Sequence, residues 1–228
     1  MSILSIQWGT ARRSIALQKE NGANPICFSF AIKEDVRLAH KIHELLLEAD
    51  EIPTSINRII VNRGPGSYTG IRIALATIQG ICAASDSNDL TVTTVDTHDA
   101  ILIKLNQASD ITNMNGSCIA SYAQRGEVVV NMVTGGSQNG PIKLDSDREL
   151  MPTDALCERI SKTNGIIFGC DLEKWIPKNL LRNLTLDATD LINCEGNNYS
   201  KENFHTVEPY YVRPQEFVKA PAARFRAC

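Results

Sequence analysis

The sequence predicts an α/β protein of two lobes, each a mixed sheet with helices laid on it. Three observations predict this. The N-terminal half reads as three adjoining strands followed by helix and strand in alternation. The second half repeats that order more faintly. Between them Gln107 to Gly116 is rich in Ser, Asn, Asp and Gly, the composition of a connection rather than an element.

In order, Ile3-Leu4-Ser5-Ile6 opens as a buried strand, Gly9-Thr10 turns it, and Ser14-Ile15-Ala16-Leu17 returns. Asn21-Gly22 is a hairpin signal, and Ile26 to Phe30 makes a third strand. A helix then starts at Glu34 and Asp35, where negative charge suits the positive end of the helix dipole. Leu38, Ala39, Ile42, Leu45, Leu46 and Ala49 fall on one face of it. Ile59-Ile60-Val61 is a short apolar run, as in a strand buried on both faces. A glycine turn, an apolar helix, a strand over Thr91–Val95 and a helix capped by Asp96 or Thr97 follow. The order βββαβαβα is the ribonuclease-H-like plan.

The second half reads as strands over Cys118–Tyr122, Glu127–Val133 and Ile142–Leu144. A helix from Pro152 to Ser161, capped by Thr153, and a strand at Ile166–Phe168 complete it. Residues 171–207 show no clear pattern beyond a helical tendency from Leu184 to Ile192. The expected division is residues 1–108 for the first lobe and 109–228 for a second, degenerate lobe. Lys219 to Cys228 reads as a short, basic, poorly ordered tail.

The chain is organised around Arg58 to Ala84. Gly64-Pro65-Gly66-Ser67-Tyr68-Thr69-Gly70 is a turn between strand and helix; its glycines permit positive φ and Pro65 fixes its own. Such a turn either cradles a phosphate at the helix N-terminus or packs tightly while Ser67 or Thr69 caps the helix. It lacks the Lys-Ser/Thr ending of a P-loop. The helix from Ile71 to Ala84 is almost wholly apolar and shows two stripes. Ile71, Ala74, Leu75, Ile78, Ile81 and Cys82 form a bulky one. Ile73, Ala76, Gly80 and Ala83 form a smaller one, flanked by Arg72 and Gln79. One sheet covers only one stripe, so the other awaits a partner.

At 228 residues and a formal charge of −3, the chain is large enough for a core without staples and lacks the strong basic balance of a nucleic-acid binder. Its seven cysteines are odd in number and form no CxxC pair, which suits reduced thiols in a cytoplasmic protein. No run is long enough to span a membrane.

GPGSYTGIRIALATIQGICAA resembles the GPGSFTGLR-type signature of the TsaB (YeaZ) family, and ILSIQWGTARRSIAL and Glu208-Pro209-Tyr210-Tyr211-Val212-Arg213 resemble its terminal segments. The resemblance implies two degenerate ribonuclease-H-like lobes of the actin and sugar-kinase superfamily. It implies a non-catalytic subunit that supports a TsaD-like enzyme in threonylcarbamoyl transfer to adenosine 37 of tRNA. A TsaE-like ATPase is a further implied partner, and homodimerisation through the same helix is the rival to heterodimer formation. Arg72, Ile73, Ala76, Gln79, Gly80, Ala83 and His43 are the expected partner-facing residues. No cofactor, metal or catalytic set is expected.

Two departures bear on ATP use. Superfamily members that use ATP place an acid after the first strand, where this chain has Gln7-Trp8. Tyr122-Ala123 stands where Asp-Ala is usual before Arg-Gly-Glu, matched by Arg125-Gly126-Glu127. Neutral residues cannot supply the charge that organises a hydrated Mg²⁺. An enzyme remains the alternative, either a phosphotransferase or a glycoprotease-like hydrolase. For it the sequence offers Ser67, His98 and Asp96 without a GxSxG elbow, and His40 with His43 without a third ligand.

Overall fold

The computed structural model describes residues 2–20, 22–31, 37–86, 89–108, 114–123, 125–136, 140–145, 147–194, 196–200 and 203–210. The expected helix start at Glu34–Asp35, the tail Lys219–Cys228 and Tyr211 to Arg213 lie outside these.

The first sheet is built on β1 (Ser2–Gln7), β2 (Arg12–Lys19) and β3 (Ile26–Ala31), an antiparallel meander. β4 (Ile56–Gly64) lies parallel beside β1, and β5 (Thr91–Asp96) parallel beside β4. The spatial order is therefore β3-β2-β1-β4-β5, the ribonuclease-H-like order. β12 (Asn197–Ser200) adds an antiparallel edge strand to β5.

The second sheet repeats the order. β6 (Cys118–Tyr122) and β7 (Glu127–Thr134) form a hairpin. β8 (Lys143–Leu144) and β9 (Glu149–Pro152) both pair with β7. β10 (Ile167–Gly169) runs parallel to β6, and β11 (Leu181–Asn183) parallel to β10.

Alternation along the strands sorts the cores. Leu4 and Ile6 of β1, with Ile59 and Val61 of β4, point to one face, while Ile60 points to the other. The first face is covered by α1 (Leu38–Glu48) and α2 (Tyr68–Ala84) through Leu38, Ile42, Leu45, Ile71, Leu75 and Ile78. α3 (Thr97–Gln107) and α5 (Ala188–Ile192) fill the space between the sheets. There Ile101 and Leu191 share a core with Ile60 of the first sheet and Ile119 and Phe168 of the second. α4 (Thr153–Thr163) covers the outer face of the second sheet through Leu156 and Ile160. Each fully buried aliphatic side chain contributes about 1.5–3 kcal/mol. The shared middle core makes the two sheets part of one buried cluster.

Several elements differ from the sequence-based expectation. α2 begins at Tyr68, three residues before Ile71, because Ser67 caps it. Thr153 is not the cap of α4; its hydroxyl donates to the Gly126 carbonyl at 2.8 Å, tying the helix to the β6–β7 turn. Of Leu184 to Ile192 only 188–192 is helical, closed by a reciprocal Asp187–Asp190 capping box. β9, β11 and β12 are unannounced by periodicity. Residues 197–200, expected in the second lobe, pair with β5 of the first, and Phe204 and Val207 enter the first core.

Candidate functional site

The glycine turn is pressed against the β1–β2 turn. Ser67 N–H donates to the Gly9 carbonyl at 2.7 Å, and the Ser67 hydroxyl accepts from Gly70 N–H at 3.2 Å. A Cβ on Gly66 would sit 2.2 Å from the Gly9 oxygen, and one on Gly70 2.2 Å from the Trp8 oxygen. These glycines are thus spacers that let two backbones touch. Gly64, at φ +108°, adopts a backbone that side chains disfavour. Pro65 offers its carbonyl to the Thr97 hydroxyl at 2.7 Å. Tight packing with a serine cap, one of the two readings of this turn, is the arrangement seen. Thr69 is exposed beside it.

The two stripes of α2 separate cleanly. Ile71, Ala74, Leu75, Ile78 and Cys82 are buried against the first sheet, with Ile81 half-buried. Arg72, Ile73, Ala76, Gly80 and Ala83 are exposed, and Gln79 is half-buried. The surface begins at Tyr68, whose ring lies 3.9 Å from the Arg72 guanidinium carbon. A Cβ on Gly80 would meet nothing within 4 Å beyond its own helix backbone, so no neighbour among the described residues requires glycine there. α1 packs alongside α2 and exposes Ala39, His43 and Leu47, a row spaced one helical turn apart. Leu47 is 66% exposed and Ile52 just beyond α1 is 63% exposed. Exposed Ala39 corrects its assignment to the inward face of α1.

The lost acids have structural stand-ins. Gln7 is fully buried, and its Oε1 accepts from Gly9 N–H at 3.0 Å, holding the turn under Gly66. Trp8 is also fully buried, with Phe30 at a centroid distance of 6.0 Å and the Arg13 guanidinium carbon 5.6 Å from its centroid. Tyr122 stacks on Trp175.

The residues proposed as a hydrolytic triad are not brought together. Ser67 is spent on the helix cap. Asp96 pairs with Arg63 Nε at 2.6 Å and Arg148 Nη1 at 2.8 Å. His98 faces Asn131 Oδ1 at 2.6 Å and Ser121 Oγ at 3.1 Å. Burial pulls His98 down to a pKa of about 4, more than the Asn131 hydrogen bond raises it. His40 Nε2 meets Glu44 at 3.1 Å, while His43 is exposed on the next turn. Among the described residues no three metal-binding side chains converge. Burial raises the thiols of Cys118, Cys170 and Cys194 to about 12, far from the thiolate a nucleophile needs.

Sequence reading passed over the residues that buttress the turn. Asn62, buried at the end of the Ile59–Val61 run, accepts from Gly64 N–H at 3.0 Å and donates its Nδ2 to the Thr97 hydroxyl at 3.1 Å. Its signal was a polar residue at the end of an apolar strand. Tyr210 of the Glu208-Pro209-Tyr210 segment donates its N–H to the Arg63 carbonyl at 2.8 Å. Its ring lies under the Arg148 guanidinium at 4.4 Å. That segment therefore braces the same end of β4 that launches the glycine turn.

Comparison with known proteins points one way. Residues 28–129 match the family model described as TsaD, tRNA N6-adenosine threonylcarbamoyltransferase. A tRNA threonylcarbamoyladenosine biosynthesis protein TsaB from Bacillus subtilis (strain 168) is 36% identical over 76 residues, 33% of each chain. The TsaB protein of Escherichia coli (strain K12) is 31% identical over 96 residues, 42% of this chain and 41% of that one. The aligned stretches thus span about a third to two fifths of the length of these curated relatives. YeaZ from Pseudomonas aeruginosa superposes with a TM-score of 0.67 over 92% of this chain and 99% of that one, at 21% identity. That likeness shows the two-lobed fold.

Proposed function

We propose that the chain, similar over part of its length to TsaB proteins, is a non-catalytic subunit in tRNA threonylcarbamoyladenosine biosynthesis. In this reading it binds a TsaD-like enzyme through α1 and α2 and holds it competent for transfer to tRNA. A TsaE-like ATPase is the further partner. The partner face is Arg72, Ile73, Ala76, Gln79, Gly80 and Ala83 with His43, and the loop Gly64–Gly70 sets the angle at which α2 is presented.

The observation that carries the reading is Gly80. A glycine inside a helix costs about 1 kcal/mol relative to alanine. Among the described residues, nothing beyond its own helix backbone lies within 4 Å of its missing side chain. A stripe of small residues around it lets a second helix approach closely, as in ridge-and-groove packing. Apolar Tyr68 and Ile73, 40% and 39% exposed, suit the centre of such a contact. The glycines of the loop are explained by packing and Gln7 by its turn. The test is co-elution of the purified chain with a TsaD-like subunit. One-to-one assembly supports the reading; a homodimer that excludes that subunit, or ATP turnover by the chain alone, overturns it.

A further inference from the structure

The second lobe carries an aromatic feature that the proposed partner face does not use. At the end of β6, Tyr122 stacks on Trp175 with ring centroids 3.8 Å apart and planes within 12°. Trp175 remains 38% exposed despite this cover. Its turn is pinned from below: Trp175 N–H and Ile176 N–H both donate to the Leu172 carbonyl at 3.0 Å, and Leu172 and Ile176 are buried. Core filling is thus done by Leu172 and Ile176, while the indole is held outward against a second ring.

The charges around the stack are also distinctive. Arg125, Lys174 and Lys178 are exposed, three residues or fewer from one ring or the other. Among the described residues none of the three forms an ion pair. Two acids beside Lys174 are engaged elsewhere. Glu173 accepts a hydrogen bond from the Asn183 amide, and Asp171 accepts from Ala11 N–H at 2.6 Å.

We infer that the Tyr122–Trp175 stack is a platform for an unpaired nucleobase of RNA, with Arg125, Lys174 and Lys178 beside it for the backbone phosphates. A fixed, exposed ring with flanking uncommitted cations is what sequence-tolerant single-strand binding requires, because every base has a π-face. The choice of RNA rests on the proposed function. With only three cations the site is weak in isolation, and it gains strength when a partner subunit holds the same RNA.

The two tryptophans make the test direct. Trp8 is fully buried, so Trp175 supplies the solvent-exposed indole emission. Titration of the full chain with a short unmodified single-stranded RNA is expected to quench the exposed emission and leave the buried component. Log affinity should fall with log salt at a slope of about −2, set by roughly three phosphate contacts on a single strand. Tyr122→Leu is expected to weaken binding about tenfold, and Trp175→Phe to remove the signal while a labelled RNA still binds. Lys174→Glu with Lys178→Glu should abolish binding at moderate salt. Absence of quenching at millimolar RNA, equal quenching by a duplex, or quenching by a TsaD-like subunit but not RNA would each overturn the inference. Co-elution with that subunit is read separately, so loss of the RNA site leaves the proposed partner role standing.

Discussion

His98 lies 2.6 Å from Asn131, Nδ1 to Oδ1, and that contact joins α3 of the first lobe to β7 of the second. Asn131 Oδ1 also faces the Arg148 donor Nε at 3.3 Å, which marks it as an acceptor. His98 therefore carries its hydrogen on Nδ1, and Nε2 accepts from the Ser121 hydroxyl. A neutral ring satisfies the whole set; a proton on Nε2 would put a cation in a buried site near Arg148.

The pH dependence follows from this. The folded value of about 4 lies below the ordinary 6.5, so the unfolded chain binds the extra proton first. Stability is fully present above pH 6.5 and is lost as pH falls toward 4, by up to about 3 kcal/mol at ~1.4 kcal/mol per unit. Denaturant midpoints between pH 7 and pH 4.5 are the measurement. His98→Gln should flatten the His98 part of that slope, and an unchanged slope would refute the assignment.

The glycines of the chain should divide by what surrounds them. Gly66→Ala and Gly70→Ala place a methyl 2.2 Å from backbone oxygens of Gly9 and Trp8, which cannot swing away as a side chain would. Each should cost about 1–3 kcal/mol or more. Gly80→Ala meets nothing and should instead stabilise by about 1 kcal/mol, a rise of roughly 2–4 °C in a chain of this size. Thermal unfolding of the three variants checks the sign at each position.

Asp96 anchors two arginines at once, and all three side chains are largely shielded, at 11% for Asp96, 14% for Arg148 and 23% for Arg63. Asp96→Asn leaves Arg63 without the carboxylate it pairs with and Arg148 with only Asp99, at 3.9 Å. It should destabilise by about 2–4 kcal/mol, near the range for breaking a buried pair. Because Arg148 also covers Tyr210, proteolysis C-terminal to Val207 should quicken in the same variant. Unchanged cleavage would show that Tyr210 is held by its backbone bond to Arg63 alone.

Gln7 decides the nucleotide question. Its Oε1 is committed to Gly9 N–H, and it brings no charge to a metal-bound triphosphate. Titration of the isolated chain with Mg-ATP should show a Kd weaker than about 10 μM, near −7 kcal/mol. Tighter binding would restore the phosphotransferase reading.

How far the sequence is legible depends on how local the cause is. The Ile59–Val61 run and the stripes of α2 were readable because period and polarity state which face is buried. Ser67 as a cap was readable for the same reason, since a serine before an apolar helix has a local task. β12 was not, because a polar strand of four residues exists only through its pairing with β5, more than a hundred positions away. α5 is too short for periodicity and is held by the Asp187–Asp190 box and by Ser14, whose hydroxyl accepts from Ala188 N–H at 2.8 Å. Asn131 carries no local signal, Asn62 only its place at the end of an apolar strand, and His98 offers itself in the sequence only beside Ser67 and Asp96; the fold instead sets His98 against Asn131 across the lobes and Asn62 against Thr97.

The partner face gives the last prediction. Ala76 and Gly80 lie on the exposed side of α2, so Ala76→Glu and Gly80→Leu should leave thermal unfolding of the isolated chain within about 0.5 kcal/mol or improve it. In a helix–helix contact the same changes are severe. A carboxylate at the centre is desolvated without a counter-ion, and a leucine fills the space through which the second backbone approaches. Each should weaken assembly with a TsaD-like subunit by roughly 2–4 kcal/mol, at least about thirtyfold in Kd. Leu47→Ser, on the parallel row of α1, should cost less if it belongs to the rim, about 1 kcal/mol. The paired measurement is unfolding of each variant alone and its co-elution with the partner. A variant that is stable and assembles normally would remove α2 from the interface; one that unfolds early would mean that the exposed stripe is packed within the chain after all. Stable folding with failed assembly is the outcome that the open space at Gly80 predicts.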